Sequence, residues 1–205
     1  EEVYIQQASI FSKKDDHVSA INLLKIALSY TDDEVDVLSM IGMEYLYLDN
    51  FDEARLNFSK CLEVDFEDYS SLYNVIYCFD MENKHDEAIN YINNYINKDP
   101  YSEVAWHQLG RQYYILKHFE EALTAFDYAV LVDEFFVGAY LEKAKTLEQL
   151  NLWEDAIENY KITVELDDPT SSSPHRYYQI KLLVIYSKSD SQNSGFCAKN
   201  SIATL

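Results

Sequence analysis

Glycine and proline are nearly missing from this chain, at 4 and 3 of 205 residues. Turn-dense β architectures and phosphate-cradling loops both draw on these residues, so both are disfavoured. The scarcity favours long helices with few interruptions. Cysteine is sparse too: Cys61, Cys78 and Cys197 share no close spacing. Neither a disulfide framework nor a zinc site is expected, and a reduced, cytoplasmic compartment fits. No apolar run reaches the roughly 18 residues of a membrane span, so no direct membrane insertion is expected. No basic start followed by an apolar stretch is visible. The chain opens at Glu1 without methionine, as a fragment of a longer protein would. Positive charge is short as well: 16 Lys and Arg stand against 36 Asp and Glu, a net of −20. Such a chain is repelled by nucleic acid phosphates, so no nucleic acid partner is expected.

What is present is a period. Ala20, Ala54, Ala88, Ala122 and Ala156 recur at one constant interval, with neither gap nor insertion. A fixed interval of this kind marks one supersecondary unit stacked along an axis. Units cut at Glu1, Val35, Tyr69, Glu103 and Val137 align column by column. One column reads Tyr4, Leu38, Leu72, Trp106, Tyr140, and another, two helical turns on, Phe11, Tyr45, Phe79, Tyr113, Leu147. Between them sit Ala8, Gly42, Ile76, Gly110 and Ala144; after the alanine come Leu24, Phe58, Ile92, Phe126 and Tyr160. Separations of three, four and seven are helical, so each unit reads as two amphipathic helices. Asp49-Asn50, Glu82-Asn83-Lys84 and Asn151 mark the breaks within units; Asp99-Pro100 and Asp167-Asp168-Pro169 mark those between units.

Trp106-x-x-Leu109-Gly110-x-x-Tyr113 followed by Ala122-x-x-x-Phe126 resembles the tetratricopeptide repeat signature. The fourth unit departs from it where Glu134 replaces the usual proline. The resemblance covers residues 1 to about 170 as five repeats, 1–34, 35–68, 69–102, 103–136 and 137–170. It implies an all-α fold, a right-handed α-solenoid of helix-turn-helix repeats with an inner groove lined by the first helices. It also implies protein–protein interaction as the function, with a peptide or helix of a partner in that groove. Some relatives grip a C-terminal carboxylate with lysines and asparagines from successive first helices. Here Ile5, Ser9 and Met40 take the corresponding faces, so that clamp is not expected. Two further readings are a chaperone for an exported protein and the non-catalytic arm of a larger enzyme or membrane assembly.

The period fails after Ala156. Residues 171–205 hold four Lys/Arg and one acid, a net of +3, so −23 of the total falls on residues 1–170. Tyr177, Ile180, Leu183 and Val184 make one apolar stripe, and residues 171–187 read as a capping helix. Residues 188–205 are polar and read as a disordered tail. A shifted reading frame also accounts for so abrupt a loss of register. The Tyr-, Asn-, Ile- and Lys-rich composition fits a bacterial source with an AT-rich genome.

The residues that resemble catalytic groups have structural readings. Asp52-Glu53, Asp86-Glu87, Glu120-Glu121 and Glu154-Asp155 each precede a column alanine, in the first turn of a second helix, where acids meet the positive helix end. His17 and His85 share a column with Phe51, Phe119 and Trp153, an aromatic packing slot; His118 lies beside it. No metal-binding, hydrolase or nucleotide-binding motif occurs, so no cofactor, no metal and no catalytic residue is expected.

The face of the first helices turned away from the second helices remains. It carries Met40, Met43, Tyr47, Tyr73, Asn74, Tyr77, His107, Gln108, Arg111, Tyr114, Glu142 and Lys145. Methionine adapts to varied partners, and tyrosine offers apolar area with a polar tip. Asn74 and Gln108 are expected to hydrogen-bond a partner backbone, beside a cationic spot at Arg111 and Lys145.

Overall fold

The computed structural model describes residues 1–166, and within them every regular element is an α-helix. The elements are α1 (Glu2–Ser12), α2 (His17–Leu28), α3 (Glu34–Tyr47), α4 (Phe51–Val64), α5 (Tyr69–Met81), α6 (His85–Lys98), α7 (Glu103–Ile115), α8 (Phe119–Val132), α9 (Val137–Gln149) and α10 (Trp153–Leu166). This is the all-α arrangement of helix pairs that the columns call for. The last residues of the fifth unit, the capping helix expected over 171–187 and the tail at 188–205 lie outside the described residues.

The break inside each unit is one motif repeated five times. Asp15, Asp49, Asn83, Lys117 and Asn151, one period apart from each to the next, all take positive φ of 52–64°. In each, the following amide donates back to the column residue that closes the first helix: Asp16 N to Phe11 O, Asn50 N to Tyr45 O, Lys84 N to Phe79 O, His118 N to Tyr113 O and Leu152 N to Leu147 O, at 2.9–3.0 Å. The left-handed residue donates in turn to the carbonyl three before it, as Asp15 N does to Ser12 O at 2.9 Å. These paired bonds satisfy the free carbonyls of the helix end. Glycine normally takes the left-handed position; aspartate and asparagine tolerate it through local hydrogen bonding. Such turns explain how so many helices are joined by a chain so poor in glycine. Second helices then restart at once, Asp16 accepting from Ser19 N and Asn50 from Glu53 N.

The five column alanines are all fully buried. In two of the pairs a glycine meets a phenylalanine ring. A Cβ on Gly42 would lie 2.7 Å from the Phe58 ring, and one on Gly110 2.5 Å from the Phe126 ring. Where alanine replaces glycine, the core holds Ala8 with Leu24 and Ala144 with Tyr160. Small residues let two helix axes approach, and the aromatic fills the space they leave.

The chain divides within α6 into two compact units, residues 1–90 and residues from 91 onward. In the first, α1 to α5 each pack against their sequence neighbours. An ion cluster fastens α4 to the turn after α5. Arg55 donates to Asp52 and, at 2.6 Å, to Glu82, whose other oxygen accepts from Lys84 at 2.6 Å. The Arg55 guanidinium also lies 4.4 Å from the centre of the Phe79 ring. In the second unit α7, α8, α9 and α10 pack in succession, and α7 also touches α9.

Candidate partner-binding surfaces

The acid pairs occupy the first turns of α4, α6, α8 and α10, as their position before the column alanines requires. His17 opens α2 and stacks on Tyr47 with ring centres 4.9 Å apart, while its Nδ1–H donates to Glu44 Oε2 at 2.7 Å. The aromatic slot is thus also a polar one. His85 opens α6 with Nδ1 3.5 Å from Asp80 Oδ1. Cys61 and Cys78 are buried, and burial pushes the Cys78 thiol up to about 11, which leaves it protonated and unreactive near neutral pH. No three His, Cys, Asp or Glu side chains come together to hold a metal among the described residues.

In the first unit, α3 exposes Met40, Met43 and Tyr47, and α5 exposes Tyr73 and Tyr77 beside a half-buried Asn74. Met40 forms one wall of a groove of about 570 Å³. Ile5, Ala8 and Ser9 of α1 and Leu24 of α2 supply much of the rest, with Glu44 at the edge. Its lining is mainly apolar side chains and small residues. Such a surface can bury hydrophobic groups, and Gln6, Ser12, Lys13 and Glu44 add polar groups to its lining.

In the second unit the face is sorted by depth. Tyr114, Arg111, Glu142 and Lys145 are half-buried at the surface. Lys145 Nζ donates to Glu142 Oε1 at 2.7 Å, whereas Arg111 has no carboxylate partner among the described residues and donates to Gln108 Oε1 at 3.2 Å. Gln108 itself is fully buried, so it cannot serve as the partner-facing amide that its place on the helix suggests. His107 is buried as well, wedged between Phe126 and Phe136, with ring centres 5.8 and 5.1 Å away. Among the described residues neither of its nitrogens has a hydrogen-bond partner, nor does Gln108 Nε2. Burial, with Arg111 adding to it, pushes the His107 pKa down to about 4, so the ring is neutral at pH 7. A helical projection places His107 and Gln108 on the free face but does not show that both are buried, His107 beneath the start of α9. A Cβ on Gly138, in the first turn of α9, would sit 3.6 Å from His107 Nε2.

Among the described residues no helix is long and apolar enough to cross a membrane. Residues 35–68, which hold α4 and all of α3 but its first residue, match the tetratricopeptide repeat family. No curated protein matches the chain. Among solved structures, a tetratricopeptide repeat protein of Parabacteroides merdae is similar with a TM-score of 0.66 at 19% identity, over 94% of this chain and 76% of that one. A thermophilic TPR protein of Thermus thermophilus gives 0.59 at 11% identity, over 90% and 98%. MamA of Desulfovibrio magneticus RS-1, from residue 41 to its end, gives 0.60 at 16%, over 84% and 97%. At these identities the likeness is one of fold. With a matched repeat at 35–68, the same helix-pair architecture on either side of it and neighbours of that fold, the chain has the fold of a tetratricopeptide repeat protein.

Proposed function

We propose that this chain is a non-catalytic scaffold that binds a peptide or helix of a protein partner through the free faces of its first helices. Repeats of this family typically serve as protein–protein interaction scaffolds. The observation that carries the reading here is the groove of about 570 Å³ in the first unit, with Met40 on its wall. Exposed Met43, Tyr47, Tyr73 and Tyr77 lie on α3 and α5 beyond it. Apolar side chains of the partner enter the groove, and the tyrosines supply broad contact area at low entropic cost. In the second unit Arg111, lacking an acidic partner of its own among the described residues, takes a carboxylate or backbone carbonyl, with Tyr114 and Lys145 beside it.

The test is a peptide selection. Peptides chosen from a random display library against the parent protein should weaken more than tenfold, by fluorescence anisotropy, on Met40→Arg, with helicity unchanged by circular dichroism. Equal affinity for Met40→Arg and for a Tyr73→Ala/Tyr77→Ala variant would remove the groove from the binding surface.

A further inference from the structure

A second surface of the second unit lies at the turns that precede α7 and α9. Tyr101 and Phe135 stand one period apart at equivalent positions of those turns and are 79% and 66% exposed. The same bond holds each: Asp99 Oδ1 accepts from Tyr101 N, and Asp133 Oδ1 from Phe135 N, both at 2.9 Å. The corresponding turn before α5 makes that bond as well, Asp65 Oδ1 accepting from Glu67 N at 3.0 Å, but presents a glutamate. The turn geometry is therefore general, and the aromatic is a property of these two turns.

A pair of stacked rings is tied to the first turn. Trp106 Nε1 donates to Pro100 O at 2.9 Å, which ties the indole to the turn beside Tyr101. Tyr128 of α8 stacks on that indole with centres 4.5 Å apart, and Leu131, one helical turn further on, is 78% exposed. Isolated exposed apolar residues are ordinary, but a run of large ones in neighbouring turns marks an interaction surface. Its setting is acidic: Asp99, Glu103, Asp133 and Glu134 flank the rings in sequence. Lys98, next to Asp99, is the one base among these flanking residues, against four acids.

We infer that this edge of the second unit docks a cationic segment of another protein, with arginine or lysine side chains over the rings of Tyr101 and Phe135 and against the adjoining carboxylates. Guanidinium and ammonium groups are drawn to aromatic faces, and neighbouring acids strengthen the attraction. Adjacent helices pack roughly 8–10 Å apart, so two equivalent turns suit cations about three residues apart in an extended chain. A second copy of this chain is disfavoured as occupant, because the same acids would face one another.

The probe is a twelve-residue peptide with the sequence Arg-Ala-Leu repeated four times, titrated into the full chain at physiological salt by calorimetry. A peptide with glutamate in place of arginine serves as control. Expected are binding of the arginine peptide only, and at least tenfold weaker binding to Tyr101→Ser/Phe135→Ser. A Tyr30→Ser/Leu56→Ser variant, which removes exposed apolar residues of the first unit, should bind like the parent. Three results would overturn the inference: equal affinity for the Tyr101/Phe135 variant, equal binding of the glutamate peptide, or a parent dimer in sedimentation that Phe135→Ser dissociates.

Discussion

At the scale of single residues, His107 is the side chain whose environment and chemistry conflict most. It is buried among aromatic rings with neither nitrogen bonded among the described residues, and burial holds its pKa near 4 against an ordinary 6.5. The unfolded chain takes up a proton at this imidazole as pH falls through 6.5, while the folded chain resists until about 4. The unfolded state therefore binds more protons over that interval, and stability declines as pH is lowered across it. By pH 4.5 the loss from this residue reaches about 2–3 kcal/mol. His107→Phe should remove that portion of the acid sensitivity, read as a flatter dependence of the urea midpoint on pH between 7 and 4.5. A profile parallel to that of the parent would show that the ring finds a partner in solution. Spacing put His107 on α7 but could not reveal its depth. Depth depends on α9, a helix that begins only after α8 has been completed.

At the scale of elements, the unit of design is the pair of positions across two helices. Gly110 faces Phe126 and Gly42 faces Phe58, whereas alanine accompanies Leu24 and Tyr160 in the core at the equivalent places. Gly110→Ala gains intrinsic helix propensity of up to about 1 kcal/mol. It also drives a methyl into the Phe126 ring, which overpacking places at roughly 1–3 kcal/mol. The net expectation is destabilisation. Phe126→Leu alone also destabilises, by leaving a void. Combined, the two should recover at least about 1 kcal/mol relative to their sum, because the double variant resembles the Ala8 and Leu24 pairing already in the chain. Denaturant unfolding of the four proteins in this cycle supplies the number, and strict additivity would refute the pairing.

The elements themselves were legible because volume and periodicity are local properties. Small columns such as Gly42 and Gly110, answered by large ones such as Phe58 and Phe126, gave the helix pairs. Asp, Asn or Lys between them gave the breaks. The surfaces were less legible. Tyr73 and Tyr77 are exposed as a helical projection implies, while Gln108 is covered. The aspartate-to-aromatic spacing at 99–101 and 133–135 was there to be read. Only the shared backbone bond and the exposure of both rings give it a meaning.

At the scale of the whole molecule, charge dominates. A net of −20 makes the folded chain repel itself, and the ion pairs that offset this among the described residues are few. Added salt shortens the range of that repulsion more than it weakens half-buried pairs such as Arg55 with Glu82. Raising NaCl from about 20 mM to about 300 mM should therefore raise the thermal midpoint by roughly 2–4 °C, the equivalent of about 1 kcal/mol in a chain of this size. A fall in the midpoint would mean that the ion pairs outweigh the repulsion. The same excess of acid is what makes a cationic partner, and not another copy, the natural occupant of the Tyr101 and Phe135 edge.

The one-period interval between two helix caps has a consequence for how such a chain can change in length. Asp68 accepts from Ser71 N at the start of α5, and Ser102 accepts from Ala105 N at the start of α7, one full period later. Excising residues 69–102 would place Asp68 directly before Glu103, so one capping side chain would replace another in the same register. Every severed helix end would meet a ready-made substitute. Loss of this one period leaves the capping chemistry of the joint unaltered.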